Sequence, residues 1–128
     1  MKYLLDTSVF LWMIFGEENK LSKKSRQILG EDHEFVLSSA STWEIAIKYS
    51  LGKLKLKERP HLWLPNIIFE MGLTPLAISH KHSLAVSQLP DHHRDPFDRI
   101  LIAQSKTEGL PLISPDKTFK KYKTDLIW

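Results

Sequence analysis

Short apolar runs alternate with longer amphipathic stretches along this chain. Lys2 to Leu5 carries the β-favouring, uninterrupted character of a buried strand, and EFVLS at 34–38, LTPLAI at 73–78 and LPLIS at 110–114 repeat it. TDLIW at 124–128 reads as a last, edge strand. Between them fall helical patterns. Residues 9–15 follow Asp6-Thr7-Ser8, a stretch of capping residues, and the basic amphipathic segment 22–29 stops at Gly30. The stretch SSASTWEIAIKYSLGKL predicts a helix through Trp43, Ile45, Ala46, Ile47 and Tyr49 that ends near Gly52. Residues 60–71 predict another, with Pro65 as a kink or boundary, and 79–89 a further one. PFDRILIAQSKTEG places Pro96 at the first helical position and Gly109 just past the end, and Asp116 opens a short basic helix. Strands alternating with helices predict an α/β fold: three layers, α/β/α, around a mainly parallel sheet of four to five strands, in one domain over residues 1–128.

Against that pattern Asp6 is the anomaly. Tyr3, Leu4 and Leu5 precede it and Val9, Phe10, Leu11 and Trp12 follow, so an ionised carboxylate there costs several kcal/mol unless it is paired, hydrogen-bonded or bound to a cation. It stands at the carboxyl end of a strand, where ligands bind in open α/β sheets. Glu44 falls in the first turn of the helix after the second strand, Asp98 in the first turn of the helix after PDHHRD, and Asp116 just after the fourth strand. In a parallel sheet these places converge on one edge. Four acids packed together raise one another's pKa values, and a divalent cation removes the conflict; an all-oxygen site favours Mg²⁺ or Mn²⁺. Each acid also has an ordinary reading as a helix cap or a partner of the macrodipole. That reading suits Asp95 best, as N-cap of DPFD, although Asp95 shares a helix face with Asp98 and ranks as a second candidate ligand.

Composition narrows the chemistry. With 42% hydrophobic and 26% charged residues the chain reads as a globular domain, and the absence of cysteine removes disulfides, thiolate zinc sites and a cysteine nucleophile and fits a reducing cytoplasm. Asp6 and the acidic pair Glu17-Glu18 break the leading apolar run too early for a signal peptide or a membrane span. The net charge of +3 is mildly basic. Lys48, Arg94, Arg99, Lys117, Lys120 and Lys121 are candidates for contact with the phosphates of a nucleic acid, each also readable as a solvated surface charge, and Arg99 as the partner of a neighbouring acid. His80-Lys81-His82 and His92-His93 lack the spacing of a metal site: residues two apart on a helix diverge, and adjacent loop histidines carry no ligand geometry. No nucleophile elbow and no phosphate-cradling glycine loop is present.

DTSVFLW, SSASTWEIAIKYSLGKL, HHRDPFDRILIAQ and LISPDKTFKKY resemble, in order and spacing, the four motifs of PIN-domain ribonucleases, in particular the VapC-type toxins of toxin-antitoxin pairs. The resemblance covers nearly the whole chain. It implies a PIN fold whose acidic pocket binds Mg²⁺ or Mn²⁺ and hydrolyses RNA phosphodiesters. It also implies catalytic and metal-binding roles for Asp6, Glu44, Asp98 and Asp116, with supporting hydroxyls at Ser8 and Ser114. The two acids of RDPFDR depart from the commoner pattern and leave the third ligand open between Asp98 and Asp95. A homodimer and a cognate antitoxin that blocks the site are further implications; a membrane is not.

Two other function classes fit parts of the pattern. A phosphoacceptor signalling domain also carries acids at strand ends, but it needs one central phosphorylatable Asp and a well-placed Lys. A non-catalytic RNA-binding or interaction module would bind RNA without cutting it, and the presence of all four acids argues against it. Trp12, Trp63 and Trp128 are candidates for a partner surface, with core packing as the alternative for at least two of them.

Overall fold

The computed structural model describes residues 1–128. Five strands, β1 (Lys2–Leu5), β2 (Glu34–Ser38), β3 (Thr74–Leu76), β4 (Leu112–Ile113) and β5 (Leu126–Ile127), form one sheet in the order β3-β2-β1-β4-β5. Every pairing is parallel, with Leu4 opposite Val36 on one side and Leu112 on the other. The sheet is therefore wholly parallel, with the predicted strand at the chain's end as its edge. Its order reverses at β1: one wing runs out through β2 and β3, the other through β4 and β5. The crevice above the carboxyl ends of β1 and β4 is the topological switch point, the usual ligand site of a doubly wound sheet.

Alternation along the strands separates two cores. Tyr3, Leu5, Leu37 and Ile113 point to one face and pack with helices α1 (Thr7–Ile14), α2 (Lys23–Leu29), α3 (Ser39–Ser50) and α4 (Pro60–Glu70) through Val9, Phe10, Ile45 and Leu64. Leu4, Val36 and Leu112 point to the other, against Leu101 and Ile102 of α6 (Pro96–Glu108), with α5 (His80–Ala85) at its side and Phe119 and Tyr122 from the 3₁₀ helix Lys117–Tyr122. This is the α/β/α sandwich. Leu4 lies at the centre of it with no solvent exposure. Leu4→Ala is expected to cost about 3 kcal/mol, seen as a lowered urea midpoint with an unchanged slope.

Several local expectations shift by a turn. Helix α3 starts directly at the end of β2, because Ser38 Oγ accepts the Ala40 amide and caps it there. Helix α1 likewise begins at Thr7, so neither Thr7 nor Ser8 caps it. Thr7 Oγ1 instead donates to Ser41 Oγ at 2.9 Å, tying α1 to α3. Pro65 does not end its helix, which continues to Glu70; it lies on the exposed side while Leu64, Ile67 and Ile68 pack inward. The segment predicted as one helix over 79–89 divides into α5 and a 3₁₀ turn, Val86–Gln88. The end of α6 follows expectation, with Gly109 at φ 65°. Trp12, Trp63 and Trp128 are half-buried against the first core, and the exposed indole is that of Trp43.

Candidate active site

The switch-point crevice is a cleft of about 350 Å³ lined by Asp6, Thr7, Ser8, Leu11, Glu44, Lys48, Asp95, Asp98, Pro115 and Asp116. Asp6 enters from the end of β1, Glu44 from α3, Asp95 and Asp98 from the first turn of α6, and Pro115 and Asp116 from the segment after β4. All four acids picked out along the chain, and Asp95 with them, line this one cleft. Glu44 sits a turn deeper in its helix than the sequence suggests, since α3 starts at Ser39, and so it is no capping residue; it is 7% exposed.

Asp6 is 8% exposed and positioned from two sides. Ser114 Oγ donates to its Oδ2 at 2.6 Å and Ser8 Oγ at 3.3 Å, while Ser114 Oγ also accepts the Asp116 amide at 3.1 Å. One buried hydroxyl thus links the first acid to the last. Burial raises the Asp6 carboxyl above its usual value, and the two serine hydroxyls work against that rise. Asp98 is pushed up to about 8, by burial first and then by Asp95, Asp6, Glu44 and Asp116 around it. Burial also acts to raise Asp116, but its hydrogen bonds with Thr118 and His93 outweigh that and hold it below the usual value.

Within α6 the two acids divide the work. Asp95 Oδ1 accepts the Phe97 amide at 2.9 Å and caps the helix. The reciprocal arm of a capping box would have Asp98 reach back to the Asp95 amide, but that amide donates to His93 Nδ1 instead, which leaves Asp98 turned into the cleft.

Lys48 is the basic side chain lining the cleft. It pairs with Glu44 at 2.8 Å, and the Glu44 carboxylate raises the Lys48 ammonium above its usual value. Arg94 is exposed beside Trp43 and Phe97 in an adjoining, mostly apolar hollow of about 450 Å³, and Lys117, Lys120 and Lys121 are exposed on the 3₁₀ helix beyond Asp116. Arg99 has a different employment from the two expected for it. Its guanidinium donates to the carbonyls of Pro90 (3.0 Å), Val86 (3.1 Å) and His93 (3.5 Å) and to the Tyr122 hydroxyl (3.4 Å), bracing the loop before α6 without an acidic partner.

Two histidines hold places that their spacing does not show. His82 belongs to the cap of α5, where its Nδ1 accepts the Ser79 amide. His93, set aside on spacing grounds, lies among the acids: its Nε2 is 3.0 Å from Asp98 Oδ2 and 3.1 Å from Asp116 Oδ2, and the three ligand atoms fall within 4.8 Å of one another. The available signal was its place two residues before an N-cap, where the chain turns back over the cleft.

A model of the PIN domain matches residues 3–124. The chain belongs to the PIN-domain family. It is 41% identical to Ribonuclease VapC16 of Mycobacterium tuberculosis over 51 residues, 40% of this chain; the match spans 36% of that relative's length. Solved structures share the fold. That of VapBC2 from Rickettsia felis bound to a promoter DNA fragment has a TM-score of 0.72 at 20% identity, covering 98% of this chain and 97% of the other. DNA-bound VapBC from Salmonella typhimurium gives 0.69 at 17% identity, covering 97% and 94%.

The cleft of this PIN domain suits a hard divalent cation. It gathers carboxylates from four segments, supplies one ammonium against them, and leaves Asp98 with a proton affinity far above that of an ordinary carboxylate. Asp6, Glu44, Asp98 and Asp116 are the groups that would hold the ion, with Asp95 partly occupied as a cap.

Proposed function

We propose that the protein is a divalent-cation-dependent endoribonuclease and the toxin of a toxin-antitoxin pair. The observation that carries this is the convergence of Asp6, Glu44, Asp98 and Asp116, one from each motif, on a single cleft at the switch point. In this reading Asp6 and Asp98 are the direct ligands of Mg²⁺ or Mn²⁺, and Glu44 and Asp116 bind it directly or through water. When bound, the cation supplies water activation and offsets charge on the scissile phosphate. The chain's own groups do the rest. Ser114 and Ser8 hold Asp6 in one orientation, Lys48 faces the incoming phosphate from the wall, and Arg94, Lys117, Lys120 and Lys121 track the backbone outside it. In-line attack by water leaves a 5′-phosphate and a 3′-hydroxyl and uses no 2′-hydroxyl nucleophile.

The test is to map RNA ends after incubation with the purified chain, with Mg²⁺ or with EDTA, on a substrate carrying a single 2′-deoxynucleotide at the cleaved position. Cleavage that persists at the deoxy site, leaves 5′-phosphates and stops in EDTA supports the reading. Binding without cleavage would return the protein to the class of non-catalytic RNA modules.

The phosphoacceptor alternative loses support from topology. Such receivers follow the other doubly wound order, 2-1-3-4-5, and here Lys48 pairs with Glu44. An antitoxin partner is supported by the fold's likeness to toxins solved as VapBC complexes, and a homodimer and a cytoplasmic site of action complete the proposal. No helix is long and apolar enough to cross a membrane. Lys48→Ala is expected to weaken RNA binding and to lower the slope of log affinity against log salt by about one unit or slightly less, measured by fluorescence anisotropy in EDTA across a salt series.

A further inference from the structure

His93 is fixed at every point at which a histidine can be held. Its Nδ1 accepts the Asp95 amide at 3.2 Å, its ring lies against Phe119 with centroids 6.0 Å apart, and its carbonyl is braced by Arg99. The loop before it is anchored by the His92 amide, which donates to the Tyr122 hydroxyl at 3.0 Å, and by Arg99 on the Pro90 carbonyl. The Asp95 amide settles the tautomer. A nitrogen that accepts an N–H bond carries no proton of its own, so the proton of the neutral ring is on Nε2. That one N–H faces two carboxylates at once, Asp98 Oδ2 and Asp116 Oδ2.

We propose that His93 is a positioning residue: through a single Nε2–H, held in place by the Asp95 amide, it draws Asp98 and Asp116 together and so sets the affinity of the cleft for its divalent cation. The inference rests on the cation-binding reading above and adds to the four acids a residue that is not one of the motif acids. Direct ligation by His93 is the competing role, and the local bonding opposes it. Nε2 would have to lose its proton to bind a metal, Nδ1 would take it up, and the Asp95 amide at the start of α6 would lose its acceptor.

Three measurements on the full chain decide it, none of which uses RNA cleavage. In ¹⁵N NMR of the metal-free protein, His93 is expected to show an unprotonated Nδ1 and a protonated Nε2; the opposite tautomer overturns the proposal. In calorimetric titration with Mn²⁺, His93→Ala is expected to bind about 10- to 100-fold more weakly than wild type, and His93→Gln, whose amide N–H can face the same oxygens, to recover most of the loss. Unchanged affinity in His93→Ala, or no recovery in a folded His93→Gln, overturns it. Repeating the titrations with Mg²⁺ and Zn²⁺ separates positioning from ligation: a positioning residue costs both ions the same factor, whereas a lost nitrogen ligand costs Zn²⁺ more, and that inequality also overturns it. If wild type binds cations but cuts no RNA, the nuclease reading fails and this one stands. If wild type binds no cation, both fail.

Discussion

Asp6→Asn is expected to lower RNA cleavage by on the order of 10³-fold while leaving the metal-free fold at least as stable as wild type. The two halves of that outcome have separate causes. Asparagine keeps the shape of the side chain and an oxygen that can accept from Ser114, so the junction between β1 and the segment after β4 is retained. It removes the charge, which is unfavourable where it stands, because burial already raises the Asp6 carboxyl above its usual value. A group that destabilises the empty cleft and is nevertheless present at the end of the central strand has its use in what the cleft binds. Single-turnover cleavage with Mg²⁺ and urea denaturation in EDTA check the two halves. Undiminished cleavage by the variant would remove Asp6 from the mechanism, and a collapsed urea midpoint would make it a structural residue.

Cleavage by Asp6→Asn tests the part of the site most legible along the chain. Strands alternating with helices imply a parallel sheet, and the desolvation cost of Asp6 at a strand end, taken with Glu44, Asp98 and Asp116 at comparable places, points to a ligand site at the sheet's edge. Glu44 is visible as an acid in SSASTWE but its depth in α3 is not, because nothing in that stretch shows that Ser38 still belongs to the strand while capping the helix. Arg99 and His93 were legible as residue types and not as roles. Arg99 serves the carbonyls of Val86 in the 3₁₀ turn and of Pro90 and His93 in the loop after it, and carbonyls leave no mark in a sequence. His93 reaches Asp116 across 23 positions, a meeting made because the start of α6 and the end of β4 fall at the same edge of the sheet, and not by spacing. Spacing rules found the ligands that each helix or strand end presents by itself; contacts assembled by loops needed the fold.

The second large effect is on stability, and its sign follows from Asp98. Its carboxyl in the folded protein titrates at about 8, against 3.8 when free of its neighbours. Between those values the folded state binds more protons than the unfolded one, so the stability that Asp98 contributes is fully present below about pH 4 and is lost as pH rises through about 8. Asp6, also raised, adds in the same direction. Asp116, lowered, has the opposite sign: its contribution is present above about pH 4 and is lost as pH falls from there through its lower folded value. In EDTA the protein is therefore expected to become less stable from pH 5 to pH 8, by about 1 to 3 kcal/mol once solvent screening of the half-buried Asp98 is allowed for. Saturating Mn²⁺ should reverse the trend, because the cation competes with the proton: its affinity rises by about tenfold per pH unit below about 8, and binding to the folded state alone stabilises it. Asp98→Asn is the decisive variant. It should flatten the decline in EDTA, leave the protein more stable than wild type at pH 8, and remove most of the stabilisation by Mn²⁺. Urea midpoints across pH, with EDTA and with Mn²⁺, measure all three. If the wild-type decline survives in Asp98→Asn, the charge conflict lies elsewhere in the cleft. If Mn²⁺ still stabilises the variant fully, Asp98 is not a ligand, and the third position of the cation site passes to Asp95.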